Sequence, residues 1–237
     1  MYDLHRSKSL IFTISILLYS FALLAQRGDS YNFKGYQKQY YFGIALGYNT
    51  SNYKVFQSKS FILNDSIRRV TGLQGPGFNI GIISNLNIGR YIDARFVPTF
   101  SFVERKISYD NTDPALKPAL SRFNSVFVEF PIQFRYKSEP YKDMRVFVTG
   151  GIKYCLDVAA NSKVRQTESF IKIAPSDFQV EVGTGVQIFF PFFIFSPEIK
   201  FSHGLNNVLI YNDRQNSTTV LEKVLSRTFT ISLNFEG

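Results

Sequence analysis

From residue 40 onward apolar and polar side chains alternate with period two, the mark of strands whose two faces meet different surroundings. Eight segments carry the pattern. The first sets Phe42, Ile44, Leu46 and Tyr48 against Gly43, Ala45, Gly47 and Asn49. The second opposes Phe78, Ile80, Ile82, Leu86 and Ile88 to Asn79, Gly81, Asn85 and Asn87, and the third Ile92, Ala94, Phe96, Phe100 and Phe102 to Asp93, Arg95, Thr99 and Ser101. The fourth runs Val126 to Tyr136 against Ser125, Glu129, Gln133 and Arg135, and the fifth Val146 to Leu156 against Arg145, Thr149, Lys153, Cys155 and Asp157. The remaining three are Phe178 to Ile188, Phe193 to Phe201 and Leu225 to Phe235, with Glu181, Gln187, Glu198, Lys200, Thr230 and Asn234 on their polar faces. No comparable helical period of 3.6 follows residue 40.

The connections alternate as well. Long ones are predicted at Thr50 to Gln74, Glu104 to Arg122, Ala159 to Pro175 and His203 to Glu222; short ones at Asn87 to Arg90, Lys137 to Lys142 and Phe190 to Phe192. Turns at one end, loops at the other and an even strand number predict an all-β fold: an eight-stranded antiparallel transmembrane barrel with short periplasmic turns and long extracellular loops. Apart from the first, the segments reach or exceed the roughly 9 to 11 residues that cross a bilayer at the usual tilt. A soluble barrel with an apolar interior fits less well. Its exterior would be dense in Lys and Glu, whereas here the polar face is rich in Gly and Thr and mixes both charges; the apolar face, if wet, would form a belt far beyond what soluble proteins tolerate. Tyr41, Tyr48, Tyr136, Tyr141 and Tyr154 lie near strand ends, where an interfacial aromatic girdle belongs.

The amino terminus reads as an address. Arg6 and Lys8 precede an apolar run, Leu10 to Leu24, closed by Ala22 and Ala25; the run falls short of the roughly 20 residues of a spanning helix and has the layout of a secretory signal peptide. No cysteine follows it to carry a lipid. The expected organisation is a signal peptide over 1–25, a periplasmic segment over 26–39 and an outer-membrane barrel over 40–237.

Composition changes the picture mainly by exclusion. The 237 residues hold 25 phenylalanines and 14 tyrosines, beyond the needs of a soluble domain. The net charge of +9 is scattered rather than gathered into the stripe that nucleic acid requires, so no nucleic-acid partner is expected. One cysteine, Cys155, and two histidines, His5 and His203, leave no disulfide and no multi-cysteine or imidazole metal site. No cofactor is expected.

The candidate site is the lumen. Asp93, Arg95, Glu129, Arg135, Lys153, Asp157, Glu181, Glu198 and Lys200 fall on the inward face with mixed signs, as a self-paired interior requires, because an unpaired buried charge costs several kcal/mol. Glu129, Lys153, Glu181 and Lys200 stand at similar heights on four successive strands with alternating signs, which predicts a chain of ion pairs. Eight strands enclose a lumen just wide enough to be filled by side chains. No catalytic residue is expected: Ser202 and His203, with Glu198 upstream, hint at a hydrolase, yet adjacent strand residues point to opposite faces. Pro131 and Pro197 inside strands predict bulges. Basic loop residues such as Lys54, Lys59, Arg68, Arg69, Lys163 and Arg165 suit solvent or the phosphates of outer-membrane lipid and lipopolysaccharide.

One stretch, Val128-Glu129-Phe130-Pro131-Ile132-Gln133-Phe134-Arg135-Tyr136, resembles the Glu, apolar, Pro, apolar signature of the PorT-type outer-membrane barrels of Bacteroidetes. Gly150 to Tyr154 and Ser196 to Leu205 are similar to later strands of that family, and the likeness extends over roughly residues 40 to 237. The resemblance implies an accessory or assembly role in type IX protein secretion and gliding motility, with other secretion subunits as partners and no enzymatic activity. The alternative is a self-sufficient barrel: a narrow pore, an adhesin or a lipid-acting enzyme.

Overall fold

The computed structural model describes residues 38–58, 67–111, 119–159, 172–210 and 221–237. The expected signal peptide and most of the 26–39 segment lie outside them. Among the described residues nine strands form the main sheet: β1 (Tyr40–Gln57), β2 (Ile67–Asn87), β3 (Ile92–Phe96), β4 (Thr99–Asn111), β5 (Ala119–Lys137), β6 (Met144–Asp157), β8 (Ser176–Phe189), β9 (Ile194–Gly204) and β11 (Leu221–Glu236); the short β7 (Lys172–Ile173) and β10 (Leu209–Ile210) pair with each other. All pairings are antiparallel. β1 bonds to β11 on one side and to β2 on the other, so the order β1-β11-β9-β8-β6-β5-β3/β4-β2 returns to its start. The ring closes without an open edge, as a β structure in lipid must, because unpaired N–H and C=O groups have no water there.

β3 and β4 are one stave in two pieces, so the ring has eight staves. Pro98 has no N–H to donate, and the ladder opens where Val97 and Pro98 face Pro131 and Phe130 of β5. The gap is bridged without a change of register: Val97 N donates to Pro131 O at 3.3 Å, and Ile82 N donates to Pro98 O at 3.0 Å. Pro131 thus marks a gap rather than the predicted bulge. Pro197 does the same, at an unpaired stretch between Gly185↔Glu198 and Ile188↔Phe195 whose register is unchanged on either side. The register shifts fall elsewhere, at Phe56/Gln57 against β11 and at Ile67/Arg69 and Gln74/Gly77 against β4.

The three short turns stand where the alternation places them, but two predicted loops are mostly strand. β1 continues to Gln57, β2 begins at Ile67, β4 reaches Asn111 and β5 starts at Ala119. These extensions rise above the lipid-facing belt, where both faces change surroundings. Inside, Tyr53, Val70, Ile107, Tyr109, Leu221 and Val224 pack with Val208 and Leu209 into an apolar core, joined by Val55, Ile173 and Ala174. Outside, Lys54, Arg68 and Lys106 appear. Polar-in, apolar-out thus becomes apolar-in, polar-out, and with the bulge at Gln74/Gly77 the period breaks in the sequence while the ladder runs on. Lower down the expected polarity holds: Phe42, Ile44, Ile82, Phe100, Phe134 and Val182 are all more than half exposed on the outer face.

A closed barrel of this kind unfolds slowly, since every stave is paired on both sides. Purified protein in detergent is expected to migrate differently on a denaturing gel with and without boiling. Identical migration, or solubility without detergent, would contradict a lipid-facing exterior.

Candidate functional site

The lumen is filled in three tiers. Nearest the turns, Glu236 is the hub. Its carboxylate accepts from Arg95 Nη2 at 2.9 Å, from Arg135 Nη2 at 3.2 Å and Nη1 at 3.3 Å, and from Gln187 Nε2 at 3.2 Å. Arg95 also lies 3.7 Å from Glu198, which accepts from Thr149 and Asn234, both at 3.0 Å. The Arg135 guanidinium lies 4.0 Å from the centre of the Phe147 ring, and that ring sits over Gly185, where a Cβ would come within 2.5 Å of Phe147 Cζ. At the mouth, Lys137 pairs with Asp93 and donates to Asn87 Oδ1 at 3.0 Å, while Arg145 donates to Gln187 at 2.6 Å.

These contacts reach across the barrel. β5 and β11 stand four places apart in a ring of eight staves, as do β3 and β9, so Arg135–Glu236 and Arg95–Glu198 join opposite walls. Arg95 and Arg135 are no more than 2 % exposed, among the largest wholly buried side chains. Two guanidiniums against two carboxylates pair the charges taken out of water, while Nε of both arginines and Nη1 of Arg95 find no hydrogen-bond acceptor among the described residues.

The middle tier centres on Lys153, 3.0 Å from Glu129 and 4.0 Å from Glu181 on the flanking strands. Glu181 also accepts from Gln133 and, at 3.3 Å, from Ser202. The upper tier holds Arg105, which donates to Tyr53 Oη at 3.2 Å and Ser226 at 3.4 Å and lies between the Tyr53 and Phe127 rings, 4.8 and 5.0 Å from their centres. Above it sits the apolar core.

The structure therefore brings seven of the nine candidate residues into two ionic clusters and a mouth pair, and leaves two aside. Asp157 accepts from the Ala159 N–H at 3.0 Å, capping the turn above β6. Lys200 is half-buried and joins neither cluster; among the described residues its side chain makes no hydrogen bond or ion pair. The expected four-member chain is thus a three-member one, because Lys200 pairs in register with Gly183 of β8, two residues along the strand from Glu181. The hub Glu236, with Lys137, Arg145 and Arg105, was outside the candidate set. Glu236 and Lys137 continue the parity of Asn234 and Arg135 by one step beyond the last aromatic of each strand, and that step was the available signal. Ser202 lies inside, bonded to Glu181; His203 lies outside, stacked on Phe201 with ring centres 6.5 Å apart. Cys155 is buried against Val103 and Phe127.

At the turn end the outer rim is cross-linked. Arg90 pairs with Glu139 at 3.0 Å and the Tyr91 hydroxyl donates to the same carboxylate. That hydrogen bond, with Arg90 beside it, holds the Glu139 carboxyl below the usual carboxylate range.

A family described as outer membrane protein beta-barrel domain matches residues 19–209. Among solved structures the chain is similar to Neisserial surface protein A, with 12% identity over 82% of this chain and 95% of that one and a TM-score of 0.42. It is also similar to Ail, the attachment invasion locus protein of Yersinia pestis, with 14% identity over 84% of this chain and 100% of that one and a TM-score of 0.36. The translocator domain of the autotransporter NalP from Neisseria meningitidis is 7% identical over 96% and 97%, with a TM-score of 0.36. No curated protein sequence matches the chain.

Proposed function

Because the chain belongs to the outer-membrane β-barrel domain family, we propose that it serves there as a non-enzymatic accessory or assembly component of the type IX protein secretion system. The specific role is supported by the resemblance of Val128 to Tyr136, Gly150 to Tyr154 and Ser196 to Leu205 to the PorT-type barrels. The observation that carries it is the bridged lumen. Arg135–Glu236 and Arg95–Glu198 join opposite walls, and an apolar core lies above them. Such a barrel is a poor conduit for folded cargo and a good rigid platform, so the path of export lies in other subunits. In this reading residues 1–25 direct export of the chain, and the long loops meet lipopolysaccharide.

The test is a clean deletion with comparison of the proteins released into the medium. Type IX cargo is expected to accumulate in the periplasm, and purified protein in planar bilayers is expected to stay electrically silent. Normal cargo release would favour a self-sufficient barrel, and steady conductance would contradict the sealed lumen.

A further inference from the structure

The turn end of the barrel holds a cavity of about 530 Å³, lined by Lys38, Arg90, Lys137, Arg145 and Glu139 together with neutral groups of β2 and the 138–140 turn. Four cations face one carboxylate. Two of the cations are built in rather than loose: Lys137 and Arg145 are 2 % and 8 % exposed and point into the ring from β5 and β6. Lys137 is balanced by Asp93 behind it, and Arg90 by Glu139 at the rim. Arg145 donates to Gln187 and lies 5.2 Å from the centre of the Phe189 ring. Lys38 stands exposed at the lip, its carbonyl held by the Asn87 side chain. A concave, partly desolvated site with an excess of positive charge attracts anions more strongly than the same charges on an open surface.

We infer that this mouth is a binding site for an acidic peptide segment: a short run with two or three closely spaced carboxylates, presented from the periplasmic side. The volume lies within the roughly 300 to 1,000 Å³ of ligand sites and far exceeds one inorganic anion. The direction of opening separates a peptide from a lipid headgroup. Lys137 and Arg145 face inward, whereas on the outer side of the same end Tyr40, Tyr136 and Tyr141 are exposed and face the bilayer interface. A phospholipid anchored outside that girdle does not reach the axis. Gln39 adds a side-chain amide able to bond peptide groups. The inference rests on the geometry of the mouth and stands whether or not cargo export depends on the protein.

The test uses the purified full-length barrel in a zwitterionic detergent and a fluorescein-labelled hexapeptide alternating Asp and Gly, read by anisotropy at low and high salt. Saturable binding weakened by salt is expected. The double variant Lys38→Gln/Arg90→Gln, both at exposed positions, should weaken it about tenfold, since each removes one exposed charge contact. Glu139→Gln should tighten it severalfold, and Lys106→Gln at the loop end should leave it unchanged. Opposite signs for the two mouth variants are not produced by general damage to the fold. No saturable binding, or binding indifferent to all mouth variants, would overturn the inference. So would equal competition by inorganic phosphate, which would mark a simple anion site, or by phosphatidylglycerol vesicles, which would mark a headgroup site.

Discussion

Glu236→Gln is expected to be the most destabilising single polar change in the lumen, lowering unfolding free energy by about 3 to 5 kcal/mol. The substitution keeps shape and one acceptor oxygen but removes the charge that Arg95 and Arg135 share. Both guanidiniums stay buried, and Glu198, 3.7 Å from Arg95, is the remaining carboxylate of the cluster. Removing one partner of a buried ionic cluster costs more than the cluster itself contributes, because the surviving charges keep their desolvation penalty without their attraction. Urea unfolding of the folded barrel in detergent measures the loss. Glu139→Gln is the matched control, since Glu139 bonds Arg90 and Tyr91 in solvent at the rim. A loss for Glu236→Gln no greater than for Glu139→Gln would mean that the hub carboxylate is hydrated or unpaired in the folded protein. Arg95→Met/Glu236→Leu should recover part of the loss, since a paired replacement leaves fewer stranded charges.

The membrane-crossing part of this fold is written plainly in the chain, because the bilayer imposes one rule on every stave: apolar toward lipid, polar toward the lumen. Phe42, Ile44, Phe134 and Val182 obey it, and so do Asp93, Glu129 and Lys153 on the opposite face. Above the bilayer the rule lapses. Tyr53 and Val70 face the inside there, Lys54 and Arg68 the outside, and a polar stretch that continues a strand looks like the start of a loop. The broken third stave was equally hidden, since Val97-Pro98 sits inside an otherwise regular alternation and only its opposition to Pro131 opens the ladder.

The charged lumen was legible in composition and only partly in pairing. Counting along neighbouring strands finds contacts between neighbours, and Lys153 does meet Glu129 and Glu181. Arg135–Glu236 and Arg95–Glu198 join staves on opposite sides of the ring, a relation set by strand number and tilt rather than by local sequence. Large side chains reach across where a facing position is small: Gly185 of β8 leaves room for Phe147 and, through its ring, for Arg135. Ending the last strand at Phe235 loses Glu236 and with it the hub. A strand end defined by the last inward residue, rather than the last outward one, retains it.

Lys153→Met is the second change expected to act strongly, and its partners divide the effect unequally. Glu129 lies 3.0 Å from the ammonium with its closest donor in Lys153, whereas Glu181, at 4.0 Å, also accepts from Gln133 and Ser202. Losing Lys153 therefore strands Glu129 and only weakens the support of Glu181. In a double-mutant cycle, Lys153→Met with Glu129→Gln should show a coupling of about 2 to 3 kcal/mol, and Lys153→Met with Glu181→Gln about 1 kcal/mol or less. Each single change should cost about 3 kcal/mol or more for Lys153 and Glu129, and less for Glu181, whose two neutral donors persist. Lys200→Gln, which breaks no ion pair among the described residues, sets the baseline for a charge removed from the same lumen without a partner left behind. Urea unfolding of the four single variants and two doubles decides the matter. Purely additive losses in both cycles would mean that these side chains do not meet, and a larger coupling to Glu181 than to Glu129 would reverse the assignment of the primary pair.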